Sequence, residues 1–152
     1  MWNAFIQPIG FITFLVSAFA ETNRLPFDLP EAEPELVGGY HTEYSSMKFA
    51  AFFLAEYANM LIASTLIVTL YLGGWQIPYI ETLGLSSGLV LALQVAGFFV
   101  KVGVLLFFFI WVRWSIPRFR YDQLMNLGWK VMFPLSLFNI IWVAVLIMIF
   151  KL

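Results

Sequence analysis

Four long apolar runs, broken by the chain's few charges, constrain this sequence more than any other feature. Of 152 residues, 62% are hydrophobic and only 11% charged, where a soluble domain carries about a quarter charged residues. A bilayer core takes roughly 20 apolar residues per helix, and the runs at about 3–20, 46–72, 88–112 and 129–150 meet that length. In hydrocarbon a spanning segment must satisfy its own backbone hydrogen bonds, so each run is predicted to be a helix. Pro8 is tolerable near the start of the first. Ser45 is a plausible N-cap for the second, Gly73 and Gly74 close it, and Pro134 falls in the first turns of the fourth. Residues 2–20 have no basic start and no small-residue cleavage site, so they read as a membrane helix and not a signal peptide. The fold class is therefore all-α integral membrane, a single membrane domain over residues 1–152 with four transmembrane helices.

The rest of the composition excludes several chemistries. With no cysteine and a single histidine, His41, the chain offers no thiolate metal site, iron–sulfur cluster, disulfide or multi-histidine centre. A net charge of −1 with scattered basic residues gives no footing for nucleic acid. No metal or redox cofactor bound by this chain is expected. The connection at 73–87 has no Lys or Arg, whereas 113–128 carries Arg113, Arg118 and Arg120, with Lys130 just beyond. An even number of spans separates the 21–45 and 113–128 loops, so they share a side, and the positive-inside rule makes that side cytoplasmic. Trp75, Tyr79, Trp111, Trp114 and Trp129 sit near helix ends, as an interfacial aromatic belt would.

The charges that remain are oddly placed. Six of the nine carboxylates (Glu21, Asp28, Glu31, Glu33, Glu35 and Glu43) fall within residues 21–44, with Arg24 as the only basic residue among them. One reading is a solvated surface loop. Against it, Leu25, Phe27, Leu29, Leu36, Val37, Tyr40 and Tyr44 interleave with the acids, Pro26, Pro30 and Pro34 stiffen the stretch, and Gly38 and Gly39 break it. A short helix over about 30–37 would set Glu31 and Glu35 four residues apart on one face, where like charges repel. Partial burial there would hold a carboxyl protonated above its usual range. That behaviour suits a proton relay, and equally an acidic patch awaiting a basic partner.

Two further ionisable residues lie at membrane depth. Glu56 is eight residues past Lys48, about 12 Å inward, and Lys101 is twelve residues before Arg113, about 18 Å from the same side. By this arithmetic they lie within about 6 Å in depth. Such groups are costly in a membrane and pair with each other or mark a pathway. A static ion pair and a proton path in which Lys101 biases Glu56 both fit.

The stretch AETNRLPFDLPEAEPELVGGYHTEYSSMKFAAFFLAEY resembles the signature region of the quinone-site membrane subunit (the H subunit) of respiratory complex I, NADH:quinone oxidoreductase. LGGW, Lys101 and RWSIPRFRYDQLMNLGWK resemble the same family, so the likeness covers nearly the whole chain. The family has eight membrane helices, and these four resemble its C-terminal half. Pro34 departs from the family pattern and would shorten the loop helix. The resemblance implies an acidic loop beside the quinone cavity, with Glu21, Glu35, Glu43 and Glu56 as coupling carboxylates and Asp28, Glu31 and Glu33 in support. It implies Arg24 as their counter-charge and Lys101 as the membrane-embedded lysine. Arg113, Arg118 and Arg120 would dock the peripheral arm, organised by Asp122, although anchoring the topology would explain them equally well. Quinone would be the substrate of the complex, and NADH, FMN and iron–sulfur clusters would belong to partner subunits. The location implied is the bacterial inner membrane, in contact with lipid and the other membrane and peripheral subunits.

Three other functions fit parts of the pattern. A membrane subunit of an ion-translocating hydrogenase would keep the architecture and change the partner. A stand-alone proton-coupled transporter would centre on Glu56 and Lys101, although four helices with no repeat offer little for alternating access. A structural scaffold would leave the acids without a chemical role.

Overall fold

A computed structural model describes residues 2–22, 25–28, 44–78, 80 and 86–150. The described residues form helices: α1 (Asn3–Ile6), α2 (Pro8–Glu21), α3 (Met47–Tyr71), α4 (Ser87–Ser115), α5 (Tyr121–Asn126), a π-helical turn (Leu127–Met132) and α6 (Phe133–Phe150). Three helices are long and apolar enough to cross a membrane: α3, α4, and the continuous run Tyr121–Ile149. A shorter apolar helix, Pro8–Glu21, accompanies them. Of the expected acidic loop, Arg24, Glu31, Glu33, Glu35 and Glu43 lie outside the described residues, as does the helix expected over 30–37.

Proline decides two of the differences from expectation. The first apolar run is not one helix, because Gln7 leaves helical geometry at φ −133°, ψ 70° and Pro8 starts α2 afresh. Proline's ring disfavours a helical residue before it, while its missing N–H costs nothing in a first turn. The 14 residues of α2 extend about 21 Å, short of a hydrocarbon core of about 30 Å. At the other end, Pro134 has no N–H to give Lys130 and its ring crowds that carbonyl. The chain widens into the π turn just before it, and the Phe133 N–H reaches back five residues to Gly128. The helix therefore passes through 129 without starting there, and begins at Tyr121.

The connections differ too. Arg113 lies in the last turn of α4, so the supposed loop 113–128 shrinks to a link at 116–120. Ser46, not Ser45, precedes α3, at φ 55° and without a side-chain cap. The glycine stop after α3 is as expected: Gly73 and Gly74 adopt φ +70° and +56°, and the Gly74 N–H closes on the Val68 carbonyl at 2.9 Å. Left-handed geometry of this kind favours glycine.

The core uses one stretch of each of three helices. Ala18 and Phe19 of α2, Met60 to Val68 of α3, and Val102, Leu105 and Phe109 of α4 bury one another. Phe19 stacks on Phe109 with ring centroids 4.1 Å apart, and Ile67, Val68 and Ser64 are fully enclosed. The Ser64 hydroxyl satisfies itself by donating to the Met60 carbonyl at 2.9 Å. Small residues let the backbones approach, and in lipid that close contact, not water exclusion, provides the cohesion. The first halves of α3 and α4 are left largely bare, and the spanning part of α6 buries nothing. α6 leans on α2 where Asn139 meets Gly10, so tightly that a Cβ on Gly10 would come within 2.8 Å of the Asn139 amide nitrogen.

Candidate functional site

The expected site residues fall at opposite ends of the bundle. At one end, the segment 25–28 that follows α2 folds against the link 116–120. The Phe119 N–H donates to the Pro26 carbonyl at 3.1 Å, and the Phe27 and Phe119 rings lie 5.6 Å apart. Beside them an Arg118 guanidinium nitrogen stands 3.8 Å from Asp28 Oδ2. Asp28 is buried, with 6% of its side chain exposed against 32% for Arg118. A buried carboxylate requires a counter-charge, and Arg118 supplies it. The expectation that the two connections share one end is met by direct contact.

Around this clasp, Glu21 ends α2 and is exposed, while buried Thr22 donates from its hydroxyl to the Phe19 carbonyl at 3.1 Å. Asp122 sits in the first turn of α5, where the helix dipole favours a carboxylate. It accepts from Arg120 at 3.2 Å, and both side chains are largely exposed. Asp122 engages Arg120, while Arg118 turns to Asp28.

Glu56 lies nine residues inside α3, about 14 Å from its start. It is half-buried and makes interactions of its own. Aromatic rings crowd this stretch of α3, with Phe49 and Phe53 4.8 Å apart and Tyr44 and Phe52 5.0 Å apart.

Lys101 is elsewhere. Its ammonium donates to the carbonyls of Leu72, Gly74 and Gln76 at 2.9, 2.9 and 2.8 Å, and it lies 4.7 Å from the centre of the Trp2 ring. Leu72 follows Glu56 by sixteen residues, about 24 Å along the α3 axis. The expectation that Glu56 and Lys101 share a depth is therefore wrong. Their depths were counted from helix ends placed at Lys48 and Arg113, and the packing staggers α3 against α4 instead.

Sequence reasoning missed the residues that gather round Lys101. The Asn3 amide donates to the Leu70 carbonyl at 2.8 Å, and the Tyr71 hydroxyl to the Gly10 carbonyl at 3.1 Å. It also missed a cleft of about 470 Å³ between α2 and α6, with Thr13, Ser17, Tyr71, Ser136 and Asn139 on its polar wall. Asn139 Oδ1 is buried without a hydrogen-bond partner among the described residues. A lone amide within an apolar run is the signal that could have found it. Among the described residues no three His, Asp or Glu side chains form a metal-binding group.

Comparison with known proteins agrees with the resemblance read from the motifs. Residues 1–144 match the family model described as NADH dehydrogenase. The chain is 56% identical over 149 residues to an H subunit of NADH-quinone oxidoreductase from Cytophaga hutchinsonii, covering 98% of this chain and 44% of that protein. It is 49% identical over 154 residues to the corresponding H subunit of Flavobacterium psychrophilum, covering 99% and 44%. It is 52% identical over 156 residues to NADH-quinone oxidoreductase subunit 8 of Rhodothermus marinus, covering 99% and 46%. The chain thus spans less than half the length of these relatives, consistent with a C-terminal half. It belongs to the NADH dehydrogenase family, among the membrane proteins named as H subunits of NADH-quinone oxidoreductase.

Proposed function

We propose that this chain serves as part of the quinone-site membrane subunit of a proton-translocating NADH:quinone oxidoreductase in a bacterial inner membrane. It helps form the quinone cavity and couples quinone reduction to proton movement. The chain itself performs no electron transfer, and NADH, FMN and iron–sulfur clusters belong to partner subunits. Family membership supports the assignment, and the observation that carries the mechanism is the clasp at Asp28 and Arg118. It ties the acidic segment that follows α2 to the link between α4 and α5. A change of charge in the acidic segment therefore alters a buried ion pair and pulls on two helices together.

In this reading Glu21, Glu35, Glu43 and Glu56 are the coupling carboxylates, with Asp28, Glu31 and Glu33 in support and Arg24 as counter-charge. Crowded like charges switch protonation at small cost, since one pKa unit is about 1.4 kcal/mol. Lys101 is the membrane-embedded cation, acting at the far end of α3 from Glu56. Arg113, Arg118 and Arg120 face the cytoplasm, and Arg113 and Arg120 meet the peripheral subunits.

The test is Glu56→Gln in the assembled complex. Coupled quinone reductase activity should fall at least tenfold while NADH oxidation by an artificial acceptor persists. Normal proton pumping in that variant removes Glu56 from the path. A purified assembly containing nickel and lacking NADH oxidation would favour a hydrogenase partner instead.

A further inference from the structure

We infer that the turn from Leu72 to Gln76 is a built seat for a primary ammonium group. Lys101 fills it with its side-chain ammonium and so fixes where α3 ends. The seat is read from the geometry, and its assay rests on the proposed function for the assembly in which it is run.

The chain's own geometry makes the seat. A helix ends with carbonyls that have no partner and carry the negative end of its dipole. After Tyr71 the two left-handed glycines curl the backbone, and the alternate carbonyls of Leu72, Gly74 and Gln76 converge on one point. An ammonium has three N–H donors and no acceptor, and here each donor has its own carbonyl within 2.9 Å. The Trp2 ring, 4.7 Å away, adds the negative face of its π system. Three oxygens and one aromatic face give the full coordination of a small organic cation, with no carboxylate involved.

A proton carrier needs a neutral form that its surroundings tolerate. Deprotonating Lys101 would leave two N–H donors for three carbonyls and turn a nitrogen lone pair toward the third carbonyl oxygen. Lys101 therefore acts by position.

What it positions is visible in the neighbouring contacts. Asn3 ties α1 to Leu70, Tyr71 ties α3 to Gly10 at the head of α2, and Trp2 packs so close to Gly73 that a Cβ there would meet the ring at 3.0 Å. Lys101 brings α4 into the same knot. With four elements fastened at this end, the depth of α3 is set, and so is the depth of Glu56 about 24 Å away along it.

The test uses the assembled complex in detergent. Lys101→Ala deletes Cγ, Cδ, Cε and Nζ, the atoms of n-propylammonium. The variant should lower the thermal transition of the membrane arm by at least about 5 °C, and millimolar n-propylammonium should restore most of that loss. Tetramethylammonium, charged but without N–H donors, should not. Lys101→Met should be destabilised similarly and resist rescue, because its side chain occupies the space. Trp2→Leu should give a smaller loss. The proposal fails if Lys101→Met assembles with native stability and loses only proton pumping, which would make Lys101 a proton carrier. It also fails if propylammonium does no better than tetramethylammonium.

Discussion

Replacing Arg118 by alanine should destabilise the protein, and then replacing Asp28 by asparagine in the same chain should restore part of the loss. At 3.8 Å the two charges attract by about 1 kcal/mol if water screens them fully, and by about 4 kcal/mol at an effective dielectric of 20. Exposed pairs contribute about 0.2–1 kcal/mol, whereas stripping one partner from a buried pair costs about 3–5 kcal/mol. This pair lies between those limits. Asp28 is buried, Arg118 is about a third exposed, and each makes a further interaction. Arg118→Ala should therefore cost about 2 kcal/mol, chiefly because a buried carboxylate loses its counter-charge. Asp28→Asn should cost only about 1 kcal/mol, because the released guanidinium can turn to water. The double variant buries no charge and should be more stable than Arg118→Ala alone. The order of thermal transitions of the assembled complex, double variant above Arg118→Ala, would show this. If the two losses simply add, the ion pair contributes nothing and the clasp rests on Phe27, Phe119 and the Pro26 carbonyl.

Two further outcomes follow from the other end of the bundle and from the cleft. Gly73→Ala should lower the thermal transition by an amount equivalent to about 1–2 kcal/mol, since φ +70° disfavours a side chain and the Trp2 ring lies 3.0 Å from the new Cβ. A neutral result would show that the α3 stop does not depend on that geometry. Asn139→Leu should leave stability unchanged or raised, because it removes a buried acceptor that has no partner among the described residues. A loss of more than about 1 kcal/mol, read by the same melt, would mean that Oδ1 is satisfied in the working protein.

The amino-acid sequence was enough to establish the membrane class, because a 20-residue apolar run has few alternatives to a helix in lipid. It also marked the glycine stop after α3, since two adjacent glycines at a helix end signal left-handed geometry locally. The same was true of the shared side of the segments 25–28 and 116–120, which rests on counting spans. Each of these is a property of near neighbours in the chain or of simple parity. Helix breaks were harder to read. Pro8 and Pro134 are visible, but whether a proline starts a helix, ends one or opens a π turn depends on what the surrounding turns can absorb.

Partnership was decided only by the tertiary structure. Asp122 is four residues from Arg118, yet Arg118 meets Asp28 across ninety residues because their segments dock. Glu56 and Lys101 looked like partners while their depths were counted from assumed helix ends. The stagger of α3 against α4, in which Met60, Ala63, Ile67 and Val68 share a core with Val102, Leu105 and Phe109, separates them. Periodicity fixes the face of a residue on its own helix, but how far one helix slides along another is a matter of packing. That slide gives Lys101 three backbone carbonyls and leaves Glu56 to the contacts available at its own depth.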